Sequence, residues 1–135
     1  MNSPCKGEMP IDTENDIVMA RKYVREAAVA LGFGLTDVTR IVTATSELTR
    51  NIYVYAGSGI IRWHPINGNA AGLELVFEDH GPGIADVSLA LKPGYTTSKG
   101  LGMGLPGSKR LMDEMEVLSE IGKGTIIHIR KWLKR

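Results

Sequence analysis

The chain has 135 residues, 43% of them apolar, and its 16 Lys+Arg against 15 Asp+Glu leave a formal net charge of +1. About 58 apolar side chains suffice for one compact domain and leave nothing for a second, and so even a charge balance offers no bulk attraction to DNA, RNA or anionic lipid, so neither a nucleic-acid nor a membrane partner is expected. The longest apolar run, residues 27–35, is nine residues with two glycines, against the ~20 that a membrane-spanning helix requires.

The opening sixteen residues carry four acidic side chains and no apolar stretch, so they do not read as a secretory signal, and a cytoplasmic location is expected. Within an N-terminal arm over residues 1–12, residues 6–11 read as a lone strand at a sheet edge. Over residues 13–31, Ile17, Ala20, Val24, Ala27, Ala28 and Leu31 recur at three- and four-residue steps, with Thr13 as N-cap and Gly32 as stop. That spacing predicts an amphipathic helix. A second helix is predicted from Thr36 or Asp37 to Tyr55, with Val38, Ile41, Thr45, Leu48, Ile52 and Tyr55 on one stripe and Gly57 past its end. Residues 59–66 and 73–78 read as strands of a hairpin linked through Asn67-Gly68-Asn69. Residues 105–116 carry a third helical pattern with Pro106 in its first turn, followed by a short strand over 117–121, the turn Gly122-Lys123-Gly124 and a strand over 125–132. Early helices, tightly turned strands and one long irregular stretch predict an α+β two-layer sandwich with helices on one face of a mostly antiparallel sheet, as a single domain over 1–135.

Cys5 is the one cysteine; it cannot close an intrachain disulfide, and nothing beside it supplies a base for thiol chemistry. His64, His80 and His128 have no second ligand at metal spacing, so no zinc site is expected. Glycine is the informative excess: there are 16, about 12% of the chain against an average near 7%, and five lie between Gly94 and Gly107. No Gly-Lys-Ser/Thr triplet exists, which excludes a P-loop. Gly102-Met103-Gly104-Leu105-Pro106-Gly107 matches G-x-G-x-x-G, but a dinucleotide fold needs a strand directly before it and a protein-kinase loop needs partner motifs that do not follow. What remains is either a flexible linker or a set of backbone N–H groups at a helix N-terminus, suited to a di- or triphosphate.

Glu47 and Asn51 stand four residues apart on one flank of the second helix, beside its apolar stripe. They are either an ordinary polar pair or, at the rim of a cleft, a carboxylate able to take a proton and an amide oxygen able to hold Mg²⁺. Asp79-His80-Gly81-Pro82-Gly83-Ile84 follows the hairpin strand. It is either a simple turn or a carboxylate placed to accept from the exocyclic amine of an adenine.

In this order and on these elements, the three features resemble the Bergerat ATP-binding fold shared by gyrase, Hsp90, histidine kinases and MutL. Ser46-Glu47-Leu48-Thr49-Arg50-Asn51 looks like the N-box, Asp79-His80-Gly81-Pro82-Gly83 like the D-x-G-x-G box, Gly100-Leu101-Gly102-Met103-Gly104-Leu105 like the lid box and Gly122-Lys123-Gly124-Thr125 like the G-x-G-T box. Glu opening the N-box, together with Arg50-Asn51-Ile52-Tyr53-Val54-Tyr55-Ala56-Gly57 and Lys109-Arg110-Leu111-Met112-Asp113-Glu114, is similar to the small bacterial serine kinases that include anti-sigma factors, and among them to the RsbT-type switch kinases. The resemblance implies ATP and Mg²⁺ as cofactors, a serine on STAS-domain scaffold and antagonist proteins as substrate, and a PP2C-type phosphatase as the partner activated after release. By matching position it implies Glu47 as general base, Asn51 as Mg²⁺ ligand, Asp79 at adenine N6 with Thr125 assisting, Gly81 and Gly83 giving backbone access, and Ile84 among the nucleotide-binding residues. A lid over residues 93–104, with Lys99, Gly100, Gly102, Met103 and Gly104, would close on the phosphates, and a helix beginning near Leu105 would point at them. Lys99 stands where the resemblance leads one to expect a further glycine; its charge either contacts a phosphate or stiffens the lid. Two rivals stay open: an anti-sigma factor that sequesters a sigma subunit, and a nucleotide-gated binding module with no transfer.

Overall fold

A computed structural model of the chain describes residues 5–84, 91 and 104–134. Its elements are β1 (Gly7–Ile11), α1 (Glu14–Leu31), α2 (Leu35–Asn51), a π-helical turn (Ile52–Ala56), β2 (Gly59–Ile66), β3 (Gly72–Asp79), α3 (Gly104–Leu111), β4 (Glu114–Glu120) and β5 (Gly124–Trp132). The strands form one antiparallel sheet in the order β1-β2-β3-β5-β4, so the expected edge strand and both expected hairpins are present and the fold is α+β.

Helix α1 begins where the sequence places it. Thr13 Oγ1 accepts the Asp16 N–H at 3.2 Å and Asp16 Oδ2 accepts the Thr13 and Asp12 N–H groups at 2.9 Å, a reciprocal capping box. It stops at Gly32, whose φ of 98° turns the chain. Its buried face of Ile17, Ala20, Val24, Ala27 and Ala28, with Val38, Ile41, Val42, Ala44, Thr45, Leu48 and Thr49 of α2, meets the inner sheet row of Ile61, Trp63, Leu73, Leu75, Phe77, Ile127 and Ile129. Period-2 alternation sends Glu8, Arg62, His64, Glu74, Glu78 and Arg130 to the opposite face.

Two boundaries differ from expectation. The second helix does not run as one α-helix to Tyr55: after Asn51 it widens into the π-helical turn, closed by Gly57 N–H on the Ile52 carbonyl at 3.0 Å. The extra residue lets Ile52 reach down onto Gly59 of the sheet, where a Cβ on Gly59 would stand 2.8 Å from the Ile52 methyl. The third helix ends at Leu111, and β4 opens at Glu114 rather than Val117. Met112 and Met115 continue a helical spacing, but Met115, Val117 and Ser119 also alternate inward with period 2. Pairing with β5 decides in favour of the strand, beginning with Asp113 N–H on the Arg130 carbonyl at 3.0 Å. No helix of the described residues is long and apolar enough to cross a membrane.

Candidate functional site

Glu47 and Asn51 lie one turn apart near the end of α2, both half-buried. Glu47 Oε2 is shielded from solvent and has no hydrogen-bond partner among the described residues. A buried carboxylate oxygen without a donor is costly, on the order of 1–3 kcal/mol or more. An incoming hydroxyl or water supplies the donor it lacks.

Asp79 is the last residue of β3, paired with Gly59 on one side and Thr125 on the other. Its Oδ1 accepts the Gly81 N–H at 2.8 Å, which fixes the carboxylate at the sheet end. Thr125, 8% exposed, has its hydroxyl 2.8 Å from Ser119 Oγ. Ser119 spends its single hydroxyl hydrogen on the Gly124 carbonyl at 3.0 Å and accepts the Ile84 N–H at 2.7 Å. The Thr125 hydroxyl is therefore the donor in that pair, and its lone pairs remain for an external donor such as an exocyclic amine. Ser119 is the residue that motif reasoning missed. Its only sequence signal is a hydroxyl at an inward position of β4, beside the apolar Met115 and Val117.

The glycines of the Asp79 loop serve close packing against protein. A Cβ on Gly81 would stand 2.7 Å from the Ala56 Cβ, so the loop rests on the π-helical turn. Gly83, at φ 79°, lies against the Glu120 carbonyl, and Gly122 N–H donates to the Pro82 carbonyl at 2.9 Å, so the loop's other side rests on the β4–β5 turn. Gly124, at φ 119°, passes so close to the Asp79 carbonyl that a side chain would overlap it. Ile84 is half-buried and packs on the core. Asp79, Gly81, Gly83, Ile84 and Thr125 thus form one cluster, joined to the α2 exit through Ala56.

Helix α3 begins at Gly104, and its Leu105 (9% exposed) and fully buried Ser108 pack into the core beside α2. The C-terminal end of α3 meets the start of α2: Lys131 Nζ lies 3.7 Å from Asp37 Oδ1 in the first turn of α2 and 3.0 Å from the carbonyl of Leu111, the last residue of α3. Donor chemistry and the unmet Glu47 oxygen are compatible with a nucleotide whose base would sit at Asp79 and Thr125 and whose phosphates would lie between Gly104 and Asn51. Lys99, Gly100, Gly102, Met103 and all but the last residue of the expected lid lie outside the described residues.

The family of histidine kinase-, DNA gyrase B- and HSP90-like ATPases matches residues 36–135. The serine/threonine-protein kinase RsbT of Bacillus subtilis (strain 168) is 51% identical over 125 residues, covering 92% of this chain and 94% of its own. The anti-sigma F factor of Thermoanaerobacter sp. (strain X514) is 34% identical over 121 residues, 84% of this chain and 83% of its own. Among solved structures, the crystal structure of the RsbU and RsbW domains of a Mycobacterium tuberculosis protein superposes with a TM-score of 0.66 at 19% identity, over 96% of this chain and 33% of that one. The chain spans about a third of that structure, and the likeness is one of fold. The chain belongs to the histidine kinase-, gyrase B- and HSP90-like ATPase family and, within it, to the RsbT-like serine/threonine-protein kinases.

Proposed function

We propose that this kinase uses ATP with Mg²⁺ to phosphorylate a serine on STAS-domain scaffold and antagonist proteins of a bacterial stressosome, in the cytoplasm, and that on release it binds and activates a PP2C-type phosphatase. The observation that carries the transfer step is the buried, unpartnered Oε2 of Glu47 on the same flank as Asn51. The 51% identity to RsbT supports the serine as acceptor.

MgATP, when bound, supplies the transferable phosphoryl group and the charge that must be neutralised. Glu47 accepts the proton of the substrate serine hydroxyl at Oε2 and orients that oxygen. Asn51 offers its amide oxygen to the cation. Asp79 accepts from the adenine amine, Thr125 offers a lone pair beside it, and Gly81, Gly83 and Ile84 hold the loop against the base. Gly104 and Leu105 of α3 would present backbone N–H groups to the phosphates, and Lys99, Gly100, Gly102 and Met103, outside the described residues, would contribute as the family resemblance implies. No covalent enzyme intermediate is required.

The test is transfer of labelled phosphate from ATP to a purified STAS-domain protein, with its acceptor serine replaced by alanine as control. Serine-dependent labelling is expected; none, with both proteins folded, would overturn the reading. The 34% identity to an anti-sigma F factor favours a second reading, sequestration of a sigma subunit with transfer secondary. Pull-down against sigma, STAS and phosphatase candidates separates the two. A module that only bound nucleotide would have no use for the unsatisfied oxygen of Glu47.

A further inference from the structure

The inner row of β5 reads Thr125, Ile127, Ile129 and then Lys131, a lysine only 4% exposed where the alternation calls for an apolar side chain. A buried ammonium is costly unless its hydrogens are all received. Here it donates to the Leu111 carbonyl of α3 at 3.0 Å and to Asp113 Oδ1 in the α3–β4 connection at 3.4 Å, and it pairs as a charge with Asp37 Oδ1 of α2 at 3.7 Å, an oxygen that also accepts from Arg40 at 3.2 Å. Asp113 is itself held, its N–H on the Arg130 carbonyl at 3.0 Å and its Oδ2 receiving the Trp132 N–H at 2.8 Å.

The described part of α3 has eight residues, and a helix so short depends on tertiary contacts. Its C-terminal carbonyl is tied by a cation placed favourably for the helix dipole. Alongside the buried contacts of Leu105, Ser108 and Met112, the Lys131 contacts with the Leu111 carbonyl and Asp37 link the C-terminal end of α3 to the first turn of α2. We infer that Lys131 is a positioning residue: by tying the C-terminal end of α3 to the first turn of α2 it sets where Gly104 and Leu105 stand relative to Asn51, the groups between which the phosphates would lie. The inference rests on the nucleotide reading above. It separates the two ends of the ligand, since the base is held by β3 and β5 at Asp79 and Thr125, and only the phosphates depend on α3.

The experiment compares calorimetric affinities of the full chain for MgATP, MgADP and adenosine in wild type, Lys131→Met, Lys131→Arg and Asp37→Asn. Lys131→Met keeps the stem and removes the donors. It should weaken ATP and ADP by about fivefold or more while leaving adenosine within about twofold, with Lys131→Arg restoring most of the ATP affinity. Amide exchange of residues 105–112 in the nucleotide-free protein should speed up in Lys131→Met, with the α1 amides unaffected. Equal weakening of adenosine and ATP would mean a general loss of fold, and unchanged ATP affinity would mean no coupling; either overturns the inference. If Lys131→Met does not fold, Asp37→Asn must show the same phosphate-selective loss. A folded wild type that binds neither ATP nor adenosine would instead refute the nucleotide reading itself, while the exchange rates of 105–112 would still decide whether Lys131 holds α3.

Discussion

At the scale of single residues, the carboxylates of Glu47 and Asp79 have been given opposite surroundings. Glu47 keeps one oxygen buried and unmet, whereas Asp79 has a donor of its own in Gly81. The first suits a group that acts during turnover, the second a group that holds a ligand. Glu47→Ala should leave ATP affinity unchanged and slow phosphate transfer by roughly 10²–10⁴-fold, the usual worth of a positioned base; single-turnover labelling of a STAS substrate measures it, and a near wild-type rate would remove Glu47 from the role. Asp79→Asn should weaken ATP binding by about 1.5–3 kcal/mol through loss of a charge-assisted hydrogen bond, read by calorimetry. Both residues could be singled out from the sequence because each sits in a short motif on a predictable element. Ser119 was not legible, because its part in the cluster depends on a β4–β5 pairing that brings residues 84, 119 and 125 together.

At the scale of elements, local signals succeeded where a helix end is settled by its neighbours in sequence and failed where the sheet settles it. The α1 capping box is wholly local, and it carries a pH dependence. Backbone N–H groups of Asp12 and then Thr13 hold the Asp16 carboxyl below its ordinary 3.8. Asp16 therefore stays ionised in the folded protein where the unfolded chain has begun to protonate. Its contribution is complete above the unfolded value and is lost as pH falls through the lower folded one. The urea midpoint should drop on going from about pH 6 to about pH 3, by less in Asp16→Asn, and the variant should already be the weaker at the upper pH. Equal slopes in the two proteins would count against the cap as a source of acid sensitivity. The π-helical turn and the early start of β4 were not local: an extra backbone residue after Asn51 serves the fit of Ile52 on Gly59 and of Ala56 on Gly81, and the helical spacing of Met112 and Met115 yields to ladder hydrogen bonds with β5.

For the molecule as a whole, a ligand bound only by the folded state stabilises it by mass action. MgATP at about 100 times its dissociation constant should add about 2.7 kcal/mol and raise Tm by several degrees. Chelation of Mg²⁺ with ATP still present should reverse part of that rise if Asn51 holds the cation beside the phosphates. A Tm indifferent to ATP in a folded sample would contradict the site.

The chain alone determined the α+β class and the order of its elements, and it named the groups proposed to surround the nucleotide, because helix periodicity, strand alternation, caps and glycine motifs are all written within a few residues of one another. Tertiary structure alone decided which glycines are demanded by packing, that Ser119 joins Ile84 to Thr125 and that the C-terminal end of α3 meets the first turn of α2. The reason is physical: those properties belong to contacts between segments distant in sequence, such as Gly83 with Glu120 or Lys131 with Asp37 and Leu111. Only the closed sheet and the helices packed on it fix the separations at which those contacts act.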